Sequence, residues 1–346
     1  MMKILLSLIL IIYLAVPVNA FEFTAPTVPQ ENSDYLPEEP ETFAQGLTMI
    51  LKEAMRSLRP SLAESVASCV GVIVLGIFLA LLKMIPGAPE STLELSGTVC
   101  IAGLLLKSSD TLIRLGTQTI EQLSNYGKML IPVLTTALAA QGGATTSAAL
   151  CTGTIMLDTI LSAVISSFIV PLLYMYLCLS IASAAISQPL LGKVKGYIKS
   201  ILTWLLKMVI YIFTGYLGIT GVVSGTTDAA ALKATKLTIS GMVPVVGGLV
   251  SDASEAILVG AGVMKSAAGV YGVLALLAVC AGPFIRIGAQ YIVLKVTGLV
   301  FDVFEAKRPG ALLEDVTSAM GLVMGMTGTV CLLLMISIIC FMKGVG

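Results

Sequence analysis

Two residues of opposite charge stand inside apolar runs, where charge is costly. Asp158 is the one acid between residues 145 and 187, and Arg286 follows Pro283 by three positions. A carboxylate at the middle of a bilayer costs about 2.5–3.5 kcal/mol on insertion scales, so Asp158 has to face protein or water. Ser147, Cys151, Thr154, Asp158, Ser162 and Ser166 recur at steps of three or four, a polar stripe that must be buried against other helices. Arg286 carries Gln290 and Thr297 on its own face. A pair between Asp158 and Arg286 would remove two uncompensated charges; snorkelling of Arg286 to an interface is the alternative.

A second constellation lies in residues 214–265, rich in Gly, Ser, Thr and Ala between apolar segments. A structureless loop of that length is uncommon in a compact unit, so the stretch reads as closely packed membrane helix. Gly218, Gly221 and Gly225 fall on one face with Thr214, and the small residues let a neighbouring backbone approach. Thr227 and Asp228 look like a helix N-terminus, with Lys233 and Lys236 suited to its last turn. Asp252 and Glu255 have capping-box spacing, which makes them caps or, alternatively, conduit groups.

Other chemistry is excluded by what is missing. The 346 residues contain no histidine, which removes the usual zinc ligand, the usual base near neutral pH and any Ser-His or Cys-His nucleophile pair. Seven cysteines sit in apolar runs without CxxC spacing and read as small buried hydrophobes. Gly142 opens a Gly-Gly-Ala-Thr-Thr-Ser run that lacks the Walker lysine, and no dinucleotide fingerprint follows a strand. The expectation is a protein without enzymatic activity, metal or cofactor. With 57% hydrophobic and 12% charged residues, zero formal net charge and a mean hydropathy of +0.98, the chain belongs in a membrane. It offers no basic face for nucleic acid.

The elements that must position these groups follow in order. Residues 1–20 carry Lys3, an apolar core and small residues before position 21, the pattern of a cleaved signal peptide, with an uncleaved anchor as the alternative. Residues 21–45, with four prolines and six acids but no base, should form a flexible acidic external tether. Residues 46–65 have helical apolar spacing and read as an amphipathic surface helix. The polytopic membrane domain is 66–346. Its first span is 66–82; 93–106 is short, 107–126 is polar and interfacial, and 128–140, with Pro132, reads as part of a broken helix. Spans at 145–170 and 171–187 precede a basic loop at 188–200, the best cytoplasmic marker. After 201–223 and the Gly-rich stretch come spans at 270–281 and 283–300, a charged loop at 302–315 and a last span at 317–342. Seven spans are well supported and up to ten can be drawn. The fold class is all-α: a polytopic membrane helix bundle with broken or re-entrant segments.

Pro132 and Pro171 are 39 residues apart, as are Pro244 and Pro283, and the pairs are offset by 112. The order of elements recurs on that offset, consistent with two parallel copies of one unit, 90–199 and 202–311. Coincidence among fourteen prolines is the alternative.

The run from Tyr216 through Gly248, continued by the SDASEA stretch that opens at Ser251, closely resembles the stage III sporulation protein AE family of endospore-forming bacteria. LIPVLTT from Leu130 and GPFIRIG from Gly282 resemble it too, and the likeness covers about residues 45–346. The resemblance implies a multi-pass protein of the mother-cell membrane around the engulfed forespore. Its implied partners are other stage III sporulation proteins, including an ATPase and ring-forming subunits, together with membrane lipid. The implied role is a membrane core or export-gate component of a transenvelope channel or feeding complex. No catalytic residue comes with it. A stand-alone secondary transporter is the alternative that the intramembrane charges and the duplication support.

Overall fold

Prolines that look like breaks in the sequence lie inside helices in the structure. The computed structural model describes residues 43–85, 89–138, 144–186, 188–219, 267–304 and 306–344. The described elements are α1 (Phe43–Lys83), α2 (Glu90–Leu138), α3 (Ala144–Val164), a π-helical turn (Ile165–Ile169), α4 (Val170–Ile186), α5 (Pro189–Ile219), α6 (Ala267–Val303) and α7 (Lys307–Gly344). Residues 1–42, which hold the expected signal peptide and nearly all of the tether, lie outside the described residues. So do 220–266, with Pro244 and most of the Gly-rich stretch.

Several expected boundaries are corrected. Residues 93–138 hold no break at 107 or 128, because α2 runs through Pro132 as one helix of 49 residues. The two spans expected on either side of Pro171 form one rod, α3–π–α4. There the Val170 N–H bonds the Ile165 carbonyl across a widened turn, which makes room for a proline that cannot donate. Pro283 lies within α6, so that pair of expected spans is also one. The basic loop at 188–200 is the first part of α5, whose Pro189 starts the helix where a missing N–H does no harm. The charged loop at 302–315 shrinks likewise, since α7 begins at Lys307. A common physical reason applies. A break in apolar surroundings strands several backbone N–H and C=O groups, whereas a proline inside a helix forfeits one bond.

The expected surface helix and first span are one helix as well, α1, which passes through Pro60. Five helices among the described residues are long and apolar enough to cross a membrane: Phe43–Lys83, Cys151–Ile186, Pro189–Tyr216, Val270–Val303 and Lys307–Ile339. The chain is an all-α, multi-pass membrane helix bundle.

The exception among the long helices is α2, which carries Lys107, Asp110, Arg114, Glu121 and Lys128. It lies against α1, α3, α4, α6 and α7, with Ile113, Ile120, Leu123, Tyr126 and Leu130 fully buried. α7 shares the centre and buries Leu312, Met320, Val330 and Leu334. The two close together at Gly116, where a Cβ would stand 2.5 Å from Val323 Cγ1. A β-branched neighbour has little freedom to turn away. At the edge of the bundle, Gly76 of α1 lies under the Phe301 ring of α6, and the outward face of α1 exposes Val66, Val70, Val74 and Phe78.

Gly116→Leu is therefore expected to destabilise the bundle by about 1–3 kcal/mol through overpacking. Gly103→Ala, with nothing within 4 Å of the new Cβ, should be neutral or stabilising by up to about 1 kcal/mol. Thermal unfolding of the two variants in detergent distinguishes these outcomes.

Candidate functional site

Asp158 takes its place from helix periodicity alone. Thr154, Asp158 and Ser162 project from one face of α3 at intervals of four and all three are buried, Asp158 to 1% exposure. Asp158 Oδ2 accepts a hydrogen bond from Ser124 Oγ of α2 at 3.3 Å. Asp158 Oδ1 and Ser162 Oγ have no hydrogen-bond partner among the described residues. Cys151 and Ser166 on the same stripe are half-buried.

Arg286 does not meet it. No ion pair joins the two, and Arg286 is exposed on the opposite side of α2. The polar face of α6 turns instead to α1, where Gln290 Nε2 donates to Cys69 Sγ at 3.7 Å, because α1 and not α3 packs along α6. The expected Asp158–Arg286 pair is thus replaced by two separate polar sites.

The second of these is a groove of about 630 Å³ between α1, α2 and α6. Three helical stripes build it: Ser61, Ser65 and Ser68 on α1, Lys107, Thr111 and Arg114 on α2, and Arg286 and Gln290 on α6. Glu64 is the one carboxylate in the lining. Arg114 Nε also bonds Asp110 Oδ2 at 2.8 Å, and Asp110 Oδ1 accepts from Tyr174 Oη at 2.8 Å. The bonds from Arg114 and then Tyr174 hold the Asp110 carboxyl below its ordinary range. Lys107 and Arg286 have no carboxylate within ion-pair distance among the described residues.

A third cluster ties the helix ends at the other level of the bundle. Glu94 at the start of α2 accepts from Lys83 at the end of α1 at 2.5 Å and from Arg308 at the start of α7 at 3.1 Å. Arg308 also donates to the Ala185 carbonyl at the end of α4, at 3.3 Å. Next to it Asp315 accepts from Lys195 Nζ at 2.5 Å and from Tyr176 Oη at 3.0 Å, while Lys199 Nζ bonds Ser318 Oγ at 2.9 Å. The basic segments 193–199 and 307–308 therefore sit at one end of the bundle.

Of the remaining candidate residues, Gly218 lies in the last turn of α5. Gly221, Gly225, Asp228, Lys233, Lys236, Asp252 and Glu255 lie outside the described residues. Sequence reasoning missed the groove. Its signal was present in Ser61, Ser65 and Ser68, spaced at helical intervals across the boundary drawn at residue 66.

These features define a class: a multi-pass helical membrane protein whose ionisable groups gather at helix seams and ends. A model of the stage III sporulation protein AE family matches residues 40–344, and the chain belongs to that family. Stage III sporulation protein AE of Bacillus subtilis (strain 168) is 24% identical over 236 residues, which is 67% of this chain. The chain spans 59% of the length of that curated relative. No solved structure matches it.

Two outcomes are expected from the buried clusters. Asp158→Asn should leave the unfolding temperature in detergent unchanged or raise it, since a charged carboxylate with one hydrogen bond is poorly compensated there. Ser124→Ala, which deletes that bond, should cost about 1–3 kcal/mol. Glu94→Gln should also lower stability by about 1–3 kcal/mol, because it leaves Lys83 and Arg308, both mostly buried, without their carboxylate.

Proposed function

We propose that this chain is a non-enzymatic membrane subunit of a transenvelope channel or feeding complex between mother cell and forespore, needed for forespore development. The observation that carries the reading is membership of the sporulation family along nearly the whole described bundle, residues 40–344. The architecture supports it: long helices, a polar central helix and a polar groove suit a component that packs against other subunits and lines a passage. On this reading the protein sits in the mother-cell membrane around the engulfed forespore. It works with an ATPase and ring-forming subunits of the same stage, so that energy enters through a partner.

A stand-alone secondary transporter is the second reading, and Asp158 favours it. An acid buried inside the helix bundle with no ion pair among the described residues is a reasonable place for a coupling proton.

Deletion of the gene in its sporulating host distinguishes them when joined to affinity purification. The first reading expects engulfed forespores that fail to develop, and co-purification of the tagged chain with the other stage III proteins. Normal spores, or solute uptake by vesicles containing this chain alone, would contradict it.

A further inference from the structure

We infer that the groove between α1, α2 and α6 binds a phosphate-bearing anion, with an anionic lipid headgroup and a soluble phosphate as the two sources of that chemistry. The cations supply the first reason. Lys107, Arg114 and Arg286 converge from two helices on a space of about 630 Å³. Glu64 is the one acid in the lining and Asp110 stands behind Arg114, so positive charge remains in excess. An Arg fork and a Lys ammonium are the usual partners of phosphate oxygens. Thr111 and the serine hydroxyls on α1 add neutral donors.

The position of the groove is the second reason. Along α6, Arg286 is 17 residues from the helix end at Val303, about 25 Å at the α-helical rise. Along α1, Ser68 is 15 residues from Lys83, about 22 Å. Lys83 belongs to the charged end cluster with Glu94 and Arg308. The groove therefore sits about 22–25 Å from that cluster, a little short of the ~30 Å of a hydrocarbon core and so near the level of the opposite headgroups. Between the two levels most of the exposed side chains are apolar, Val66, Val70 and Val74 on α1, Leu104 on α2, and Val296 and Leu299 on α6, and the exposed Lys295 of α6 holds its Nζ over the Tyr291 ring at 5.9 Å. A phosphate held by Lys107 and Arg286 would leave its acyl chains lying along these side chains.

The helices open here for a visible reason. Towards the charged end, Gly76 lets α1 close on Phe301 of α6 and Gly97 lets α2 close on Leu79 of α1. At Ser61, Ser65 and Ser68 no such closure occurs, and the polar stripes face a space.

The test uses the full-length chain purified in detergent and follows its unfolding temperature during titration with dioleoylphosphatidylglycerol, dioleoylphosphatidylcholine or inorganic phosphate. Saturable stabilisation by phosphatidylglycerol but not by phosphatidylcholine is expected. Lys107→Gln and Arg286→Gln should each weaken it about tenfold, while Lys52→Gln, an exposed position on α1 away from the groove, should leave it unchanged. Both groove residues are exposed, so the variants should fold, and elution as a single species on gel filtration checks this. Stabilisation by inorganic phosphate with the same dependence on Lys107 and Arg286 supports the site with a soluble anion as its ligand. Stabilisation by neither phosphate source, or stabilisation that survives both substitutions together, overturns the assignment.

Discussion

The whole bundle answers to one constraint, which is that α2 cannot be left facing lipid. Lys107, Asp110, Arg114, Glu121 and Lys128 recur along it at steps of three, four and seven, which gathers them on one helical face that hydrocarbon cannot cover. The fold buries the other face of α2, where Ile113, Ile120, Leu123, Tyr126 and Leu130 lie, and leaves Lys107, Arg114, Glu121 and Lys128 exposed. α6 and α7 cover it along much of its length, α3 supplies Asp158 to Ser124, and α4 supplies Tyr174 to Asp110. What cannot be covered opens into the groove or faces the bundle surface.

Covering a polar helix of 49 residues needs equally long partners, which explains why prolines are tolerated inside them. α1, the α3–π–α4 rod and α6 each continue through a proline, so each keeps its backbone satisfied over a length of more than about 50 Å. The ends are fastened by charge. Glu94 gathers Lys83 and Arg308, and Asp315 gathers Lys195 and Tyr176, which holds the termini of five helices in register. Glycines set the spacing between these points: Gly116 and Gly76 permit the closest approaches, and the groove lies where no glycine draws α1 inward.

Helix content, membrane character and the buried polar stripe around Asp158 were legible in the sequence, because they depend on composition and on a period of 3.6 residues. The partner of Asp158 was not legible. Two opposite charges in apolar runs invite pairing, yet which helix faces which is decided by packing along α1 and α6, and Arg286 lines a groove with the serines of α1. Pro171, Pro283 and Pro132 misled for a related reason. Proline reads locally as a stop, while low water activity around these segments makes a stop costlier than a missing bond. The Lys193, Lys195 and Lys199 run looked like a loop by charge, although Pro189 in the first turn of α5 signals a helix start. The glycine- and threonine-rich stretch from Gly221 to Glu255 lies outside the described residues.

The central claim is that two polar levels, the charged cluster at Glu94 and the groove at Arg286, flank a single crossing of the membrane. In a cysteine-free background, Lys199→Cys and Thr111→Cys, both at exposed positions, can be probed with a membrane-impermeant maleimide in right-side-out and inside-out vesicles. Lys199→Cys should react from the inside-out vesicles only and Thr111→Cys from the right-side-out vesicles only. Labelling of both positions from the same side would contradict the account.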